Sequence, residues 1–196
     1  MCGLFGFSGA VRLSVLQRLA ALSSTRGTHA YGAQWATGRI SGAGRWDDHL
    51  DQLQAVDGTW CVGVGRMATF GTWRNPANNQ PLTVGNVTVV HNGNLYHTDA
   101  WLRANFPAYT PLTQTDTELV ALALAHGYAP EALPHGPAAA LIWHVDGERG
   151  LHIWRTNHPL YTASIGECVC ISSRAWDDAC ELVPANTLVR AQYSDF

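Results

Sequence analysis

From Ala138 onward the chain reads as one strand after another. Ala138 to Val145, Leu151 to Arg155, Leu160 to Ser164, Cys168 to Ser172 and Thr187 to Arg190 are short runs rich in β-branched, aromatic and small apolar residues. Gly, Asn, Pro and Asp punctuate them, as turns require. Upstream, Leu4 to Phe7, Tyr31 to Thr37, Thr59 to Val64 and Asn86 to Val90 also read as strands. Three segments carry helical spacing or helix-start chemistry instead: Val11 to Leu22, Asp99 to Phe106 and Asp116 to His126. In the last, Thr115 is the expected N-cap, with Asp116 and Glu118 in the first turn. Thr72 to Leu82, rich in Asn and Pro and without a period, reads as a loop. The order is strands, helices, strands, without βαβ alternation. That predicts an α+β fold of mostly antiparallel sheets rather than a doubly wound parallel one.

The 196 residues suit a single domain, 1–196. With 46% hydrophobic and 14% charged residues the chain can bury a core. A net charge of −3 offers no basic footprint for nucleic acid. No apolar run has the roughly 20 residues of a membrane span, and no secretory leader is legible at the N-terminus. Five cysteines without framework spacing point to neither disulfides nor a structural zinc, and to a reducing, cytoplasmic setting. No phosphate loop, GxGxxG or HExxH pattern occurs, so no nucleotide or metal cofactor is expected.

The chain begins Met-Cys-Gly-Leu-Phe-Gly-Phe. Methionine aminopeptidases accept a small second residue, so Met1 can be removed to leave Cys2 first. The α-amine then exposed has an unperturbed pKa near 7.7–8.0 and can take the proton of the adjacent thiol. One residue would supply both nucleophile and base. Gly3 would let a substrate approach the backbone closely. Read alone, Cys2 fits a small buried hydrophobe equally well.

Further segments recur in order: RGTHAYG (26–32), GRMATFG (65–71), HNGNL (91–95), QTDTE (114–118) and HPLYTASIGECVCISS (158–173). With the N-terminal segment, this set resembles the glutaminase domain of class II glutamine amidotransferases, which are N-terminal nucleophile hydrolases. Within that family it is most similar to the domain of glucosamine-6-phosphate synthase. The resemblance covers nearly the whole chain. It implies a four-layer αββα sandwich and hydrolysis of L-glutamine to glutamate and ammonia through a thioester on Cys2. It further implies an oxyanion hole from the Asn92 amide and the Gly93 N–H, worth about 2.7–4 kcal/mol per donor. Arg66 would clamp the glutamine α-carboxylate and Asp116 its ammonium, a pairing suited to a zwitterion. The Met67 to Thr69 main chain and the Thr69 hydroxyl would hold the rest of the substrate, and Arg26 would support the loop behind the nucleophile.

The pattern is not kept throughout. Met67 and Phe70 stand where the family has Trp and His, and His29 and Ala30 where it has Asp and Ser. Each candidate also has a plainer reading: a hairpin turn for Asn92-Gly93, an ion pair for Arg66, a helix-start acid for Asp116. No acceptor-binding domain is legible in these residues. A separate synthase docking on the 72–82 loop is therefore the expected partner for the ammonia. The alternatives are a non-catalytic glutamine-binding or regulatory module, and an N-terminal nucleophile amidohydrolase acting on another amide.

Overall fold

A computed structural model of the chain describes residues 1–136 and 138–192. Of the expected domain, Pro137 and residues 193–196 lie outside the described part. Two antiparallel sheets face each other. The first has seven strands: β1 (Gly3–Gly9), β2 (Ala30–Trp35), β3 (Arg39–Ala43), β4 (Trp60–Arg66), β9 (Tyr161–Ser164), β10 (Cys168–Ser172) and β11 (Glu181–Leu182). Their spatial order is β11-β9-β10-β1-β4-β2-β3. The second has five: β5 (Leu82–Val84), β6 (Val87–Asn92), β7 (Ala140–Val145), β8 (Leu151–Arg155) and β12 (Val189–Ala191), ordered β12-β8-β7-β6-β5.

The layers follow from side-chain alternation along β1. Phe5 and Phe7 turn outward to helix α1 (Leu13–Ser24), where they join Leu16, Leu19 and Trp46 in one core. Leu4 turns inward and meets Val62, Val64, Val90, Ile142 and Ile153 between the two sheets. Helices α2 (Thr98–Asn105) and α3 (Asp116–Ala125) close the other side, packing Leu102, Leu119, Val120 and Leu122 onto Val87, Val89 and Leu141. The result is the expected αββα sandwich with three cores. No described helix is long and apolar enough to cross a membrane.

Several boundaries differ from the sequence reading. Strand β6 runs on through His91 and Asn92, which pair with Leu141 and Ala140 of β7, so the turn begins only at Gly93. Thr115 sits at the N-cap of α3 but its side chain makes no capping bond. The 72–82 segment is exposed over Thr72 and 74–77, yet Asn78, Asn79 and Gln80 are buried. Gln80 accepts the His91 N–H at 2.7 Å and donates to the His91 carbonyl at 3.0 Å, bolting this loop to β6.

Candidate active site

Cys2 lies where β1 leaves the sandwich, at the edge of the core between the sheets. What holds it there is the approach of α1 to the N-terminus. A Cβ built on Gly3 would stand 2.2 Å from the Ser23 carbonyl oxygen. The room expected for substrate at Gly3 is therefore filled by the last turn of α1, and any side chain would push β1 off the helix.

The Cys2 thiol is surrounded by main chain. The Met67 N–H donates to Sγ at 3.4 Å, and Sγ lies 3.6 Å from the Met67 carbonyl oxygen. Burial raises the thiol pKa above its ordinary value; the Met67 hydrogen bond, the chain's amino terminus and Arg66 pull it back only in part. A buried thiol of this kind reacts only if a base removes its proton.

Beside it, Asn92 uses its two side-chain atoms differently. Oδ1 accepts the Cys2 N–H at 2.9 Å. Nδ2 is buried with no partner, an arrangement that normally costs about 1–3 kcal/mol. Gly93 follows with φ +154°, and a Cβ there would meet the His91 ring nitrogen Nε2 at 2.7 Å. Cys2, Met67, Thr69, Asn92, Gly93, Asn94, Tyr96 and His158 are among the residues lining a cleft of about 210 Å³. A buried donor without an acceptor, on a residue that lines the same cleft as Cys2, is suited to a charge that appears only during reaction.

Arg66 and Asp116 do not line this cleft. Arg66 is buried, Asp116 is half-buried with its side chain 8% exposed, and each feels the other's charge. The Arg66 guanidinium donates to the Phe70 carbonyl at 2.6 Å, the Gly71 carbonyl at 3.3 Å and Asn79 Oδ1 at 2.8 Å. Its donors thus hold the 67–71 turn closed over it. Asp116 Oδ2 accepts the Leu95 N–H at 2.9 Å. Burial raises the Asp116 pKa, against backbone hydrogen bonds and Arg66, which lower it. Asp116 lines a neighbouring pocket with Phe70, Gln114 and Leu119. Thr69 Oγ1 donates to Asn94 Oδ1 at 3.1 Å, so the same turn is fastened to the chain just after the Asn92-Gly93 pair. Arg26 stands behind the N-terminus, donating to the Ser173 carbonyl at 3.1 Å and to the Met1 sulfur at 3.6 Å.

Three residues of the site were not singled out from sequence. Asn94, Tyr96 and His158 line the cleft, and nothing in their sequence spacing marks them. His29, noted in the sequence as a departure from the family pattern, holds the 67–71 turn. Its Nδ1 accepts the Ala68 N–H at 3.2 Å and its ring stacks 6.1 Å from that of Trp73. His29 stands where the family has Asp, and that departure marked it in the sequence without giving it this contact.

A family model described as a glutamine amidotransferase domain matches residues 66–176, more than half of the chain. The chain belongs to that family. No curated protein sequence matches it. Among solved structures it is similar to glutamine phosphoribosylpyrophosphate amidotransferase from B. subtilis, with 20% identity and a TM-score of 0.69 over 88% of this chain. It is similar also to a structure described as the allosteric regulatory enzyme of purine biosynthesis, with 21% identity and a TM-score of 0.69 over 88% of the chain. In both cases the chain spans 42% of the relative's length. At these identities the likeness establishes the fold. This amidotransferase domain places Cys2, Met67, Asn92 and Gly93 around one cleft, with Arg66 and Asp116 beneath the turn beside it.

Proposed function

We propose that the chain forms one glutaminase domain that hydrolyses L-glutamine to glutamate and ammonia through a γ-glutamyl thioester on Cys2. The observation that carries this reading is the Asn92 side chain, which holds the Cys2 nitrogen with its oxygen and leaves its buried nitrogen without an acceptor. With Met1 in place the Cys2 nitrogen is a peptide N–H and cannot act as a base. Once Met1 is removed it is an amine. One N–H can stay on Asn92 Oδ1 while the lone pair takes the thiol proton. The thiolate attacks the glutamine amide carbon, and the carbonyl oxygen becomes an oxyanion held by Asn92 Nδ2 and the Gly93 N–H. The C–N bond breaks as the amine returns its proton to the leaving nitrogen, which departs as ammonia. Water, deprotonated by the same amine, then attacks the thioester and releases glutamate.

In this reading Arg66 binds the substrate carboxylate and Asp116 the ammonium, so the 67–71 turn has to move. A carboxylate would take the place of the Phe70 and Gly71 carbonyls on the guanidinium. That motion would expose the clamp on substrate entry, a lid step of the ordinary kind. Because ammonia released into water protonates and is lost as a nucleophile, we propose delivery to a synthase domain or a separate synthase. Half-buried Trp73, with Arg74 over its ring at 4.7 Å, adjoins the exposed 74–77 stretch of the loop and would be the contact. Five free thiols among the described residues suit a reducing cytoplasm.

The test is intact mass read together with ammonia release. Active protein should weigh one methionine less than the full sequence. Full turnover by a form that retains Met1 would rule out the α-amine as base. Full activity alone, unchanged by every candidate synthase and by Trp73→Ala, would leave a plain glutamine hydrolase.

A further inference from the structure

Behind the N-terminus a second cavity, about 580 Å³, is lined by Met1, Arg26, His158, Pro159, Tyr161, Ser173, Arg174 and Ala175. Two guanidinium groups, an imidazole, a phenol and a hydroxyl meet there, and none of the lining residues is acidic. In a chain with more carboxylates than cations, 15 Asp and Glu against 12 Lys and Arg, such a concentration of positive charge needs a reason. A guanidinium matches a carboxylate well, often through two parallel hydrogen bonds. Among the described residues neither Arg26 nor Arg174 meets one. Arg26 reaches only the Ser173 carbonyl and the Met1 thioether, a weak acceptor, and its Nε is buried with no partner. Arg174 donates to the Thr25 hydroxyl at 2.9 Å. The cations instead oppose one another. Burial first, and then the Arg174 charge, lowers the Arg26 pKa; burial and then Arg26 lower that of His158.

We propose that this cavity binds the phosphoryl group of a small molecule. Two guanidinium groups offer planar pairs of N–H donors that match phosphate oxygens, and their two charges balance a phosphate dianion. The Tyr161 and Ser173 hydroxyls can donate to the oxygens that remain. The volume accommodates more than the phosphoryl group itself. Met1 and His158 line both this cavity and the Cys2 cleft, so loss of Met1 removes one of the shared walls and releases an Arg26 donor. A phosphorylated molecule seated on the arginines would then have its remaining atoms beside the place where ammonia forms.

The test is calorimetric titration of the mass-verified, Met1-free protein at fixed ionic strength. The probes are inorganic phosphate, phenyl phosphate, malonate and chloride. Phosphate and phenyl phosphate should bind at least tenfold more tightly than malonate, and chloride should not compete at equal ionic strength. Arg174→Ala, a change of an exposed side chain, should weaken phosphate about tenfold, the loss expected for one charge-assisted contact. Arg174→Glu should abolish binding. Both variants should keep the wild-type rate of ammonia release from glutamine. Equal affinity for malonate would overturn the phosphoryl assignment, and phosphate affinity unaffected by either variant would overturn the site. Ammonia release in the same samples reports on Cys2 independently, so a failed anion site and a failed glutaminase give different results.

Discussion

The Asn92 side-chain oxygen receives the Cys2 N–H at 2.9 Å, while its nitrogen lies buried without an acceptor. One side chain thus fixes the Cys2 nitrogen and keeps a donor in reserve. If that donor serves an oxyanion, Asn92→Ala should lower kcat by about 10²–10³ with a small change in KM. Steady-state ammonia release measures this directly. A normal kcat would remove Asn92 from the oxyanion hole.

Arg66 and Asp116 call for a different outcome. Arg66→Lys cannot bridge the Phe70 carbonyl and Asn79 together, nor present a planar fork to a carboxylate. It and Asp116→Asn should raise KM for glutamine with kcat held within a few-fold. A fall in melting temperature with KM unchanged would instead make Arg66 a brace for the 67–71 turn, which is the only role its present hydrogen bonds display.

How much of this was legible in the sequence depends on whether the cause is local. The α+β class was, because strand and helix runs carry their own spacing, whereas the four layers came only with the family resemblance: β1 is buried at every position and shows no alternation of its own. Strand β3 was not: Arg39 to Ala43 alternates exposed and half-buried residues, and only pairing with β2 makes it a strand. Asn92 looked like a turn because Asn-Gly favours turns, but its partner Ala140 lies 48 residues on. The motifs located Cys2, Asn92 and Gly93 at the cleft. They could not foresee that Arg66 would spend its donors on Phe70 and Gly71, since a loop folding back on its own strand leaves no periodic mark. Nor did they single out Tyr96 or His158, which reach the site from separate loops.

A pH effect on stability follows from β6. Burial lowers the His91 pKa to about 3, with His158 adding a smaller push. Burial lowers that of His135 to about 4. His91 Nδ1 is 4.0 Å from Asp116 Oδ1, but a ring that stays neutral forms no ion pair there. Above the ordinary histidine pKa, near 6.5, both rings are neutral in folded and unfolded chains and have no effect. Below it the unfolded chain takes up protons that the folded chain refuses, so stability falls as pH drops from 6.5 toward 4. Asp116, whose pKa burial raises, works in the opposite sense at lower pH. Urea midpoints between pH 7.5 and 5.5 should therefore decline, and His91→Gln should flatten the decline. A slope identical in the variant would place the proton uptake elsewhere.

The account rests on Cys2 as the nucleophile, and covalent trapping tests it most directly. Met1-free protein treated with a glutamine-like diazoketone should gain one adduct per chain, mapped by peptide mass to Cys2, with loss of ammonia release in proportion. Cys2→Ala should keep its fold, take up no label and release no ammonia. Cys61, Cys168 and Cys170 are buried and Cys180 is partly exposed, so the mapping separates all five thiols. An adduct on any of those four in place of Cys2, or turnover that survives in Cys2→Ala, would contradict the mechanism.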